Sequence, residues 1–198
     1  MEICKSVEQI EALQNKFPII LKPLREYGGN GLIKIDGERV WEGGEEVSFR
    51  EFIEKIMDSD FEYLGVKFLK NVHLGDKRIV VINGKIMGAS LRRPAAGSWI
   101  CNVAMGGSSG YAEVDEDEEK IIERIDPVLS NLGIVMYGIY TLVGDDGKRV
   151  LSEINTTSIG GLPQIANLTG RPLLKEAADL IWNYILEKKT ERNATGIK

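Results

Sequence analysis

Hydrophobic and polar residues follow two different periods along the chain, which predicts that helices and strands are both present. Two segments, beginning at Ser6 and Ser48, have apolar residues at helical spacing behind a sequence typical of a capping box. Between them, apolar runs at 18–21 and 32–35 predict two strands joined by a glycine-rich loop. The first part of the chain is therefore predicted to contain two short helices and a hairpin.

The middle of the chain is richer in strand patterns. Apolar runs at 64–69, 78–83 and 85–91 predict three strands, and Asn83-Gly84 is a strong signal for a tight turn between the last two. Residues 92–114 are polar and rich in glycine, which favours a long loop. Such a loop commonly covers a binding site or is disordered.

The last third of the sequence predicts two helices on either side of another hairpin. The first helix begins with acids at 115–119, which we interpret as a solvated helix start and not as a metal site. Strands at 134–143 and 149–155 follow, and then a helix at 171–187. The apolar faces predicted for the two helices are Ile121, Ile122, Ile125, Val128, Leu129 and Leu132, and Leu174, Ala178, Ile181 and Ile185. Because strands and helices do not alternate regularly, the predicted fold class is α+β.

Composition limits the classes of function. The 198 residues are 43% hydrophobic and 28% charged, which is typical of one domain or two small lobes and excludes collagen, coiled coil and disorder. The net charge of −5 argues against general electrostatic binding to nucleic acid or anionic lipid. No apolar stretch approaches the roughly 18 residues that cross a bilayer. The acidic start lacks the apolar run of a signal peptide, and two cysteines without metal spacing suit a reducing compartment. We expect a cytoplasmic protein with no nucleic-acid or membrane partner.

A lysine and a glycine-rich loop form the first candidate site. Lys22 ends a predicted buried strand, and the sequence Gly28-Gly29-Asn30-Gly31 follows it closely. The ammonium group could reach a phosphate while backbone N–H groups of the loop fold over it. A surface lysine beside an ordinary turn explains the same residues, so both interpretations stay open. No Gly-Lys-Ser/Thr sequence closes the loop, which excludes the P-loop pattern.

A glutamate and an asparagine form the second candidate site. Glu153 and Asn155 are two positions apart on a predicted strand, so their side chains project from the same face. A carboxylate and an amide oxygen suit a hard cation such as Mg²⁺. The alternative is a half-exposed strand end whose polar residues point outward.

Cationic residues cluster at the ends of the predicted central hairpin. If Asn83-Gly84 forms the turn, Asp76-Lys77-Arg78 and Arg92-Arg93 lie at the same open end. Guanidinium groups that converge there would stabilise a phosphoryl group in transfer, whereas solvated strand ends are the alternative interpretation. His73, the sole histidine, and Cys101 have no catalytic partner that the sequence identifies.

The order of these signals resembles the ATP-grasp superfamily, and within it the ATP-binding region of bacterial glutathione synthetases. The resemblance covers roughly residues 5–187. The segments that carry it are LKPLREYGGNGLIKI (21–35), GDKRIVVINGKIM (75–87), RRPAAGSWICNVAMGG (92–107) and VLSEINTTS (150–158).

The resemblance implies an ATP-grasp fold of two α+β lobes that enclose a nucleotide cleft. The implied domains are a small lobe at 1–65 with the glycine-rich loop, a large lobe at 66–187 with the metal site and lid, and a polar tail at 188–198. The residues that it assigns to ATP binding are Lys22, Gly28, Gly29, Gly31, Lys67, Phe68, Leu69 and Asp76. In this scheme Lys22 binds the phosphates beneath the glycine-rich loop, and the backbone of the hinge at 67–69 reads the adenine.

The resemblance also assigns catalytic and lid residues. Arg78 and Arg92 would be the catalytic residues that stabilise the phosphoryl group, and Arg93 competes with Arg92 for that alignment. Arg93 and Asn102 are assigned to the substrate lid, whose loop spans about 94–110. The lid would close over the acceptor and exclude water.

Glu153 and Asn155 would hold Mg²⁺ in this family, with Mn²⁺ as a substitute. The implied reaction uses ATP to phosphorylate a carboxylate, and an amine then displaces phosphate to form an amide. The resemblance therefore favours an enzyme, an ATP-dependent carbon–nitrogen ligase similar to glutathione synthetase.

Three departures from the family pattern bear on this function. Tyr140 occupies the position of a metal-binding aspartate, and a neutral phenol is a poor ligand for Mg²⁺. Ile100 replaces a lid arginine, which bears on whether γ-glutamylcysteine is the acceptor. The family's N-terminal substrate-binding domain and a further nucleotide lysine have no counterpart before residue 5.

The expected partners are ATP, a small carboxylate and an amine. We expect a fragment or a split form of a ligase, completed by a missing N-terminal substrate domain or by a second copy of the chain. Two alternatives stay open: a peptide or amino-acid ligase with another acceptor, and a degenerate nucleotide-binding module without ligase activity.

Overall fold

The structure is a computed structural model and describes residues 1–26 and 28–195. The chain divides into two compact units, Met1–Leu69 and Lys70–Lys198. This division lies after the predicted boundary at residue 65, because the strand Tyr63–Lys67 pairs with two other strands of the first unit. Both units combine antiparallel strands with helices, so the predicted α+β class is confirmed.

The described residues of the first unit form an antiparallel sheet and two helices. The strands are β1 (Glu2–Cys4), β2 (Ile19–Pro23), β3 (Ile33–Asp36), β4 (Arg39–Glu42), β5 (Glu45–Ser48) and β6 (Tyr63–Lys67), and the helices are α1 (Val7–Gln14) and α2 (Phe49–Ile56). The sheet order is β1-β6-β2-β3-β4-β5. The sequence did not predict β1, β4 and β5, because strands this short carry too few apolar residues to show a clear alternation.

Alternation along β2 buries one face of this first sheet. Ile19 and Leu21 are inaccessible to solvent and pack in one core with Ile10 of α1 and Phe52 of α2. The residues between and after them, Ile20 and Lys22, therefore belong to the other face of the sheet.

The two predicted capping boxes have different outcomes. At the start of α2, Ser48 Oγ accepts the N–H of Glu51, and the Glu51 carboxylate accepts the N–H of Ser48, so this box is confirmed. Ser6 precedes α1 as predicted but forms no side-chain cap, so the capping box predicted at Ser6 is wrong. The Gln9 side chain instead accepts the N–H of Lys5.

The described residues of the second unit form another antiparallel sheet with helices on both faces. The strands are β7 (Asp76–Ile82), β8 (Lys85–Arg93), β9 (Ser108–Ala112), β10 (Met136–Val143) and β11 (Arg149–Asn155), and the helices are α3 (Glu116–Asn131), α4 (Leu162–Thr169) and α5 (Leu173–Thr195). The sheet order is β11-β10-β7-β8-β9. Helix α3 packs on the face that carries Ile79 and Ile139, and α4 and α5 pack on the face that carries Val80 and Ile82.

The central hairpin of the second unit confirms one turn prediction and corrects a loop prediction. Asn83 and Gly84 have φ values of 48° and 72°, the left-handed conformations that a two-residue turn between twisted strands requires. The predicted loop at 92–114 contains the strand β9, which pairs with Ala89–Arg93 of β8. The sequence SSGYA has weak strand propensity, so this strand depends on its tertiary pairing.

The apolar face predicted for α5 is wrong for Leu174, Ala178 and Ile185, whereas Ile181 is half-buried against the core as predicted. Leu173 and Ala177 are buried, whereas Leu174 is 59% exposed and Ile185 is 48% exposed. The sequence carries two overlapping apolar stripes here, and packing against the sheet selects the first. The helix also continues through Thr195, so most of the predicted tail at 188–198 is helical, and residues 196–198 lie outside the described part of the chain.

Two apolar residues predicted for the face of α3 are likewise exposed, namely Val128 and Leu132. Within residues 1–26 and 28–195, no helix combines the length and the apolar character that a membrane-crossing segment needs.

A buried ion pair ties the start of α3 to the sheet. Asp115 and Glu118 form a capping box, and the fully buried Glu118 carboxylate accepts hydrogen bonds from Lys77 Nζ (2.5 Å) and Thr141 Oγ1 (2.5 Å). Burial opposes ionisation of Asp115, but the N–H of Glu118 and the Lys77 ammonium outweigh it and lower the pKa of Asp115. The prediction of a solvated helix start is therefore wrong for Glu118.

Candidate functional site

The first unit holds the candidate lysine and the glycine-rich loop. Lys22 is half-buried near the end of β2, on the face opposite the core residue Leu21. Gly28, Gly29 and Gly31 have positive φ values of 70°, 85° and 65°, conformations that glycine adopts without strain. Tyr27, which belongs to the matched segment, lies outside the described residues.

Gly31 is also required because Pro23 leaves no space for a side chain at this position. A Cβ atom on Gly31 would lie 2.9 Å from Cγ of Pro23, so a side chain there would push against the end of β2. The loop is thereby held close to the strand that carries Lys22.

The predicted hinge residues end the first unit. Lys67 is the last residue of β6, and Leu69 is the last residue of the unit. The N–H of Phe68 donates to the carbonyl of Pro18 (2.8 Å), so it is already paired within the unit. Reading of adenine by this segment would use its other backbone groups.

Sequence reasoning missed a second lysine on the same face as Lys22. Lys34 of β3 is the direct partner of Ile20, which lies two positions before Lys22 in β2. Its Nζ lies 4.3 Å from the ring centroids of Trp41 and Phe68, within the range of cation–π attraction. The alternation of LIKI could have indicated its face, but the aromatic partners depend on the sheet register.

The second unit brings the two candidate catalytic arginines together on one aromatic ring. Arg78 of β7 is the direct partner of Tyr140 in β10, and its Cζ lies 4.7 Å from the ring centroid. Arg92 Cζ lies 4.8 Å from the same centroid. The predicted convergence at the open end of the hairpin is confirmed, because Asp76 pairs with Arg92 across β7 and β8.

Asp76 binds Arg92 through both carboxylate oxygens. Arg92 Nε and Nη2 donate to Oδ1 and Oδ2 at 2.8 and 2.5 Å, and both side chains are about 15% exposed. Burial opposes the charge of Arg92, but the bond to Asp76 outweighs it and raises the pKa of the guanidinium. Asp76 thus holds a candidate catalytic residue, and its direct role in ATP binding stays a prediction.

The guanidinium of Arg78 lies against a pair of glycines that sequence reasoning did not assign. A Cβ on Gly160 would lie 3.0 Å from Nη1 of Arg78, and one on Gly161 would lie 2.7 Å from its Cδ. Arg78 Nε is buried and forms no hydrogen bond with any described residue. A buried donor without a partner is costly in a folded protein, so this atom points to a ligand that accepts hydrogen bonds.

The candidate metal ligands lie on the same face as Tyr140. Glu153 of β11 is the direct partner of Tyr140, and Asn155 is the partner of Gly138, as the predicted register requires. The register shifts immediately beyond Tyr140, so the bulge lies on the far side of this pair.

The two candidate ligands do not fit a cation equally well. The Glu153 carboxylate is exposed and forms no hydrogen bond or ion pair with the residues that the structure describes. Asn155 Oδ1 instead accepts the N–H groups of Thr157 (3.2 Å) and Ser158 (2.9 Å), which occupy both of its lone pairs. No cluster of three or more His, Cys, Asp or Glu side chains suited to a metal occurs in residues 1–26 and 28–195. One carboxylate suits Mg²⁺, which keeps water and substrate oxygens among its ligands.

The lid residues are placed less directly. Arg93 is exposed and lies one position beyond Arg92, so the strand directs it to the opposite face from Tyr140. The carbonyl of Asn102 accepts the N–H groups of Met105 and Gly107, which folds the lid segment on itself. Cys101 is buried beside Asp76, and burial raises the pKa of its thiol to about 11, so it is protonated at neutral pH.

Comparison with known sequences gives one consistent family. The model of the prokaryotic glutathione synthetase ATP-grasp domain matches residues 1–170. A glutathione synthetase of Prochlorococcus marinus (strain MIT 9313) is 35% identical over 156 residues, which cover 78% of this chain and 47% of the relative. A glutathione synthetase of Bradyrhizobium diazoefficiens is 28% identical over 191 residues, which cover 96% of this chain and 56% of the relative. The chain spans about half the length of the curated relatives it matches.

Solved structures show the same fold at low sequence identity. The ATP complex of D-alanine–D-alanine ligase from Bacillus anthracis superposes with a TM-score of 0.57 at 18% identity, covering 94% of this chain and 61% of that one. The ATP-grasp ligase PsnB, bound to a minimal precursor, Mg and ADP, has a TM-score of 0.58 at 16% identity, covering 91% and 52%. The predicted ATP-grasp fold is thereby confirmed. Because the family model covers most of its length, the chain belongs to the ATP-grasp domain family of prokaryotic glutathione synthetases.

Proposed function

We propose that the chain is the ATP-binding part of a carboxylate–amine ligase of the glutathione synthetase type. The observation that carries this proposal is the cluster at one end of the second sheet, where Arg78 and Arg92 contact one ring and Glu153 lies on the same face. Two guanidinium groups and a carboxylate are the charges that bind a phosphoryl group and a divalent cation. Membership of the family supports the same reaction.

ATP binding would use residues of each unit. Lys22 would bind the phosphates, and the N–H groups of the loop at 28–31 would hydrogen-bond their oxygens. Glu153 would hold Mg²⁺, or Mn²⁺ in its place, and this cation would neutralise charge on the phosphate oxygens. Asn155 would contribute its oxygen to the cation only if the turn at 155–158 gave up one of its hydrogen bonds.

The reaction would proceed in two steps. A carboxylate oxygen of the first substrate attacks the γ-phosphorus, the bond to ADP breaks, and an acyl phosphate forms. The amine of the second substrate then attacks the acyl carbon, phosphate leaves, and the amine proton goes to a base. Arg78 and Arg92 would stabilise the negative charge that the phosphoryl oxygens carry in both steps.

The proposed substrates are a small carboxylate and an amine. Because the chain spans about half of its curated relatives, we propose that a further segment, a separate chain or a second copy supplies the remaining substrate contacts. ATP chemistry and two unpaired cysteines support a cytoplasmic location.

Two features favour alternative functions. Ile100 in place of a lid arginine favours a peptide or amino-acid ligase with a different acceptor. Tyr140 in place of a metal-binding aspartate favours a nucleotide-binding module without turnover.

Release of ADP in the presence of Mg²⁺ tests these functions against each other. We expect ADP when the complete protein receives γ-glutamylcysteine and glycine, and a loss of about 100-fold or more in Arg78→Gln. ADP release with another amine or peptide alone would support the altered acceptor. Nucleotide binding without turnover on any acceptor would contradict the ligase proposal.

A further inference from the structure

The Tyr140 side chain is buried and contacts both candidate catalytic arginines. Its side chain is 7% exposed, and the ring centroid lies 4.7 Å from Arg78 Cζ and 4.8 Å from Arg92 Cζ. Both guanidinium groups are positively charged, and the negative face of an aromatic ring attracts such groups.

The contact with a ring leaves the donors of a guanidinium available. A guanidinium that stacks uses its flat face, and its N–H bonds then run parallel to the ring and can still donate to another group. Arg78 fits this description, because its buried Nε forms no hydrogen bond with any described residue. A carboxylate at position 140 would instead pair with these donors and cancel their charge.

Arg92 reaches the ring from two strands away. It lies on β8, and β7 separates it from β10, so the side chains of Arg92 and Tyr140 together bridge about 9.6 Å of sheet. Asp76, its direct partner on β7, binds Nε and Nη2 and fixes the direction of the side chain. The Asp76 carboxylate and the Tyr140 ring thus hold Arg92 at two points.

We propose that Tyr140 is a positioning residue whose ring holds both Arg78 and Arg92 in place at a binding site for one phosphoryl group. This inference rests on the proposed function, and it assigns to the ring a role that the hydroxyl does not share. In this arrangement Arg78 donates to the phosphoryl oxygens, since its buried Nε has no partner among the described residues, while Arg92 stays paired with Asp76.

Two variants separate the ring from the hydroxyl. Tyr140→Phe keeps the ring, whereas Tyr140→Leu keeps an apolar side chain of similar burial without a π face. The readout is the ratio of the ADP and AMP-PNP dissociation constants, measured by calorimetry with Mg²⁺, because the γ-phosphoryl group of AMP-PNP is the part that the arginines would bind. We expect the ratio to stay within twofold in Tyr140→Phe and to fall about tenfold in Tyr140→Leu, with ADP affinity unchanged. Equal loss of both affinities in Tyr140→Leu, or the same fall in Tyr140→Phe, would overturn the proposal.

Arginine Nε–H signals in NMR spectra of ¹⁵N-labelled protein test the positioning without any nucleotide. Protons above an aromatic ring are shifted upfield, so we expect two shifted signals in the wild-type chain and in Tyr140→Phe, and none in Tyr140→Leu. Absence of the shifts from the wild type, or their persistence in Tyr140→Leu, would overturn the proposal. A wild-type chain that shows the shifts but binds no nucleotide would support the positioning and contradict the proposed function.

Discussion

Individual residues in the candidate site are constrained by the space that Arg78 occupies. Gly160 has an ordinary backbone conformation, so its lack of a side chain is needed for space alone: a Cβ there would lie 3.0 Å from Arg78 Nη1. Gly170, which ends α4, presents the opposite case, since its φ is 68° and no atom lies within 4 Å of an added Cβ. Gly160 leaves space for the side chain of Arg78, whereas Gly170 allows the left-handed backbone conformation that ends α4.

The two glycines predict opposite outcomes when changed to alanine. Gly160→Ala should displace the guanidinium of Arg78 and weaken Mg²⁺–AMP-PNP binding about fivefold, with little loss of stability. Gly170→Ala should cost about 1 kcal/mol of unfolding free energy through backbone strain, with nucleotide affinity unchanged. Calorimetry and urea denaturation measure the two quantities. Unchanged AMP-PNP affinity in Gly160→Ala would separate Arg78 from nucleotide binding.

Elements of the fold could be predicted where the signal is local. Asn83-Gly84 specifies its turn because both residues adopt left-handed conformations. This turn sets the register of the β7–β8 hairpin, which places Asp76 opposite Arg92 as predicted. The strand β9 could not be predicted, because its serine and glycine residues become a strand only by pairing with β8. The face of α5 depends on which of two apolar stripes packs on the sheet, and this choice lies outside the helix itself.

The ion pair between β7 and α3 predicts a large loss of stability when one partner is removed. Lys77→Met leaves the carboxylate of Glu118 buried without its cation, which should cost about 3 kcal/mol of unfolding free energy. Lys77→Met combined with Glu118→Leu removes both charges and should recover most of this loss. Urea denaturation of the wild type and the two variants measures the difference. A double variant no more stable than Lys77→Met would show that the buried charge is not the cause.

The chain contains two units, and the residues that the sequence singled out are divided between them. The order of motifs along the sequence predicted the fold, because each motif resembles a separate part of the ATP-grasp pattern. It also selected Arg78, Arg92 and Glu153, which lie on one face of the second sheet. The ring contact at Tyr140 and the paired oxygen of Asn155 could not be predicted, since both depend on the paths of side chains across neighbouring strands and turns.

Titration of AMP-PNP into the chain, with and without Mg²⁺, tests the central claim that Lys22 and Glu153 both serve nucleotide binding. Lys22→Ala should weaken binding about tenfold, and Glu153→Gln should remove the gain in affinity that Mg²⁺ gives. Lys16→Ala changes an exposed residue just after α1, and Glu123→Gln changes an exposed residue of α3. These two variants are the matched controls and should bind as the wild type does. Affinities in Lys22→Ala and Glu153→Gln equal to those of the controls would contradict the account.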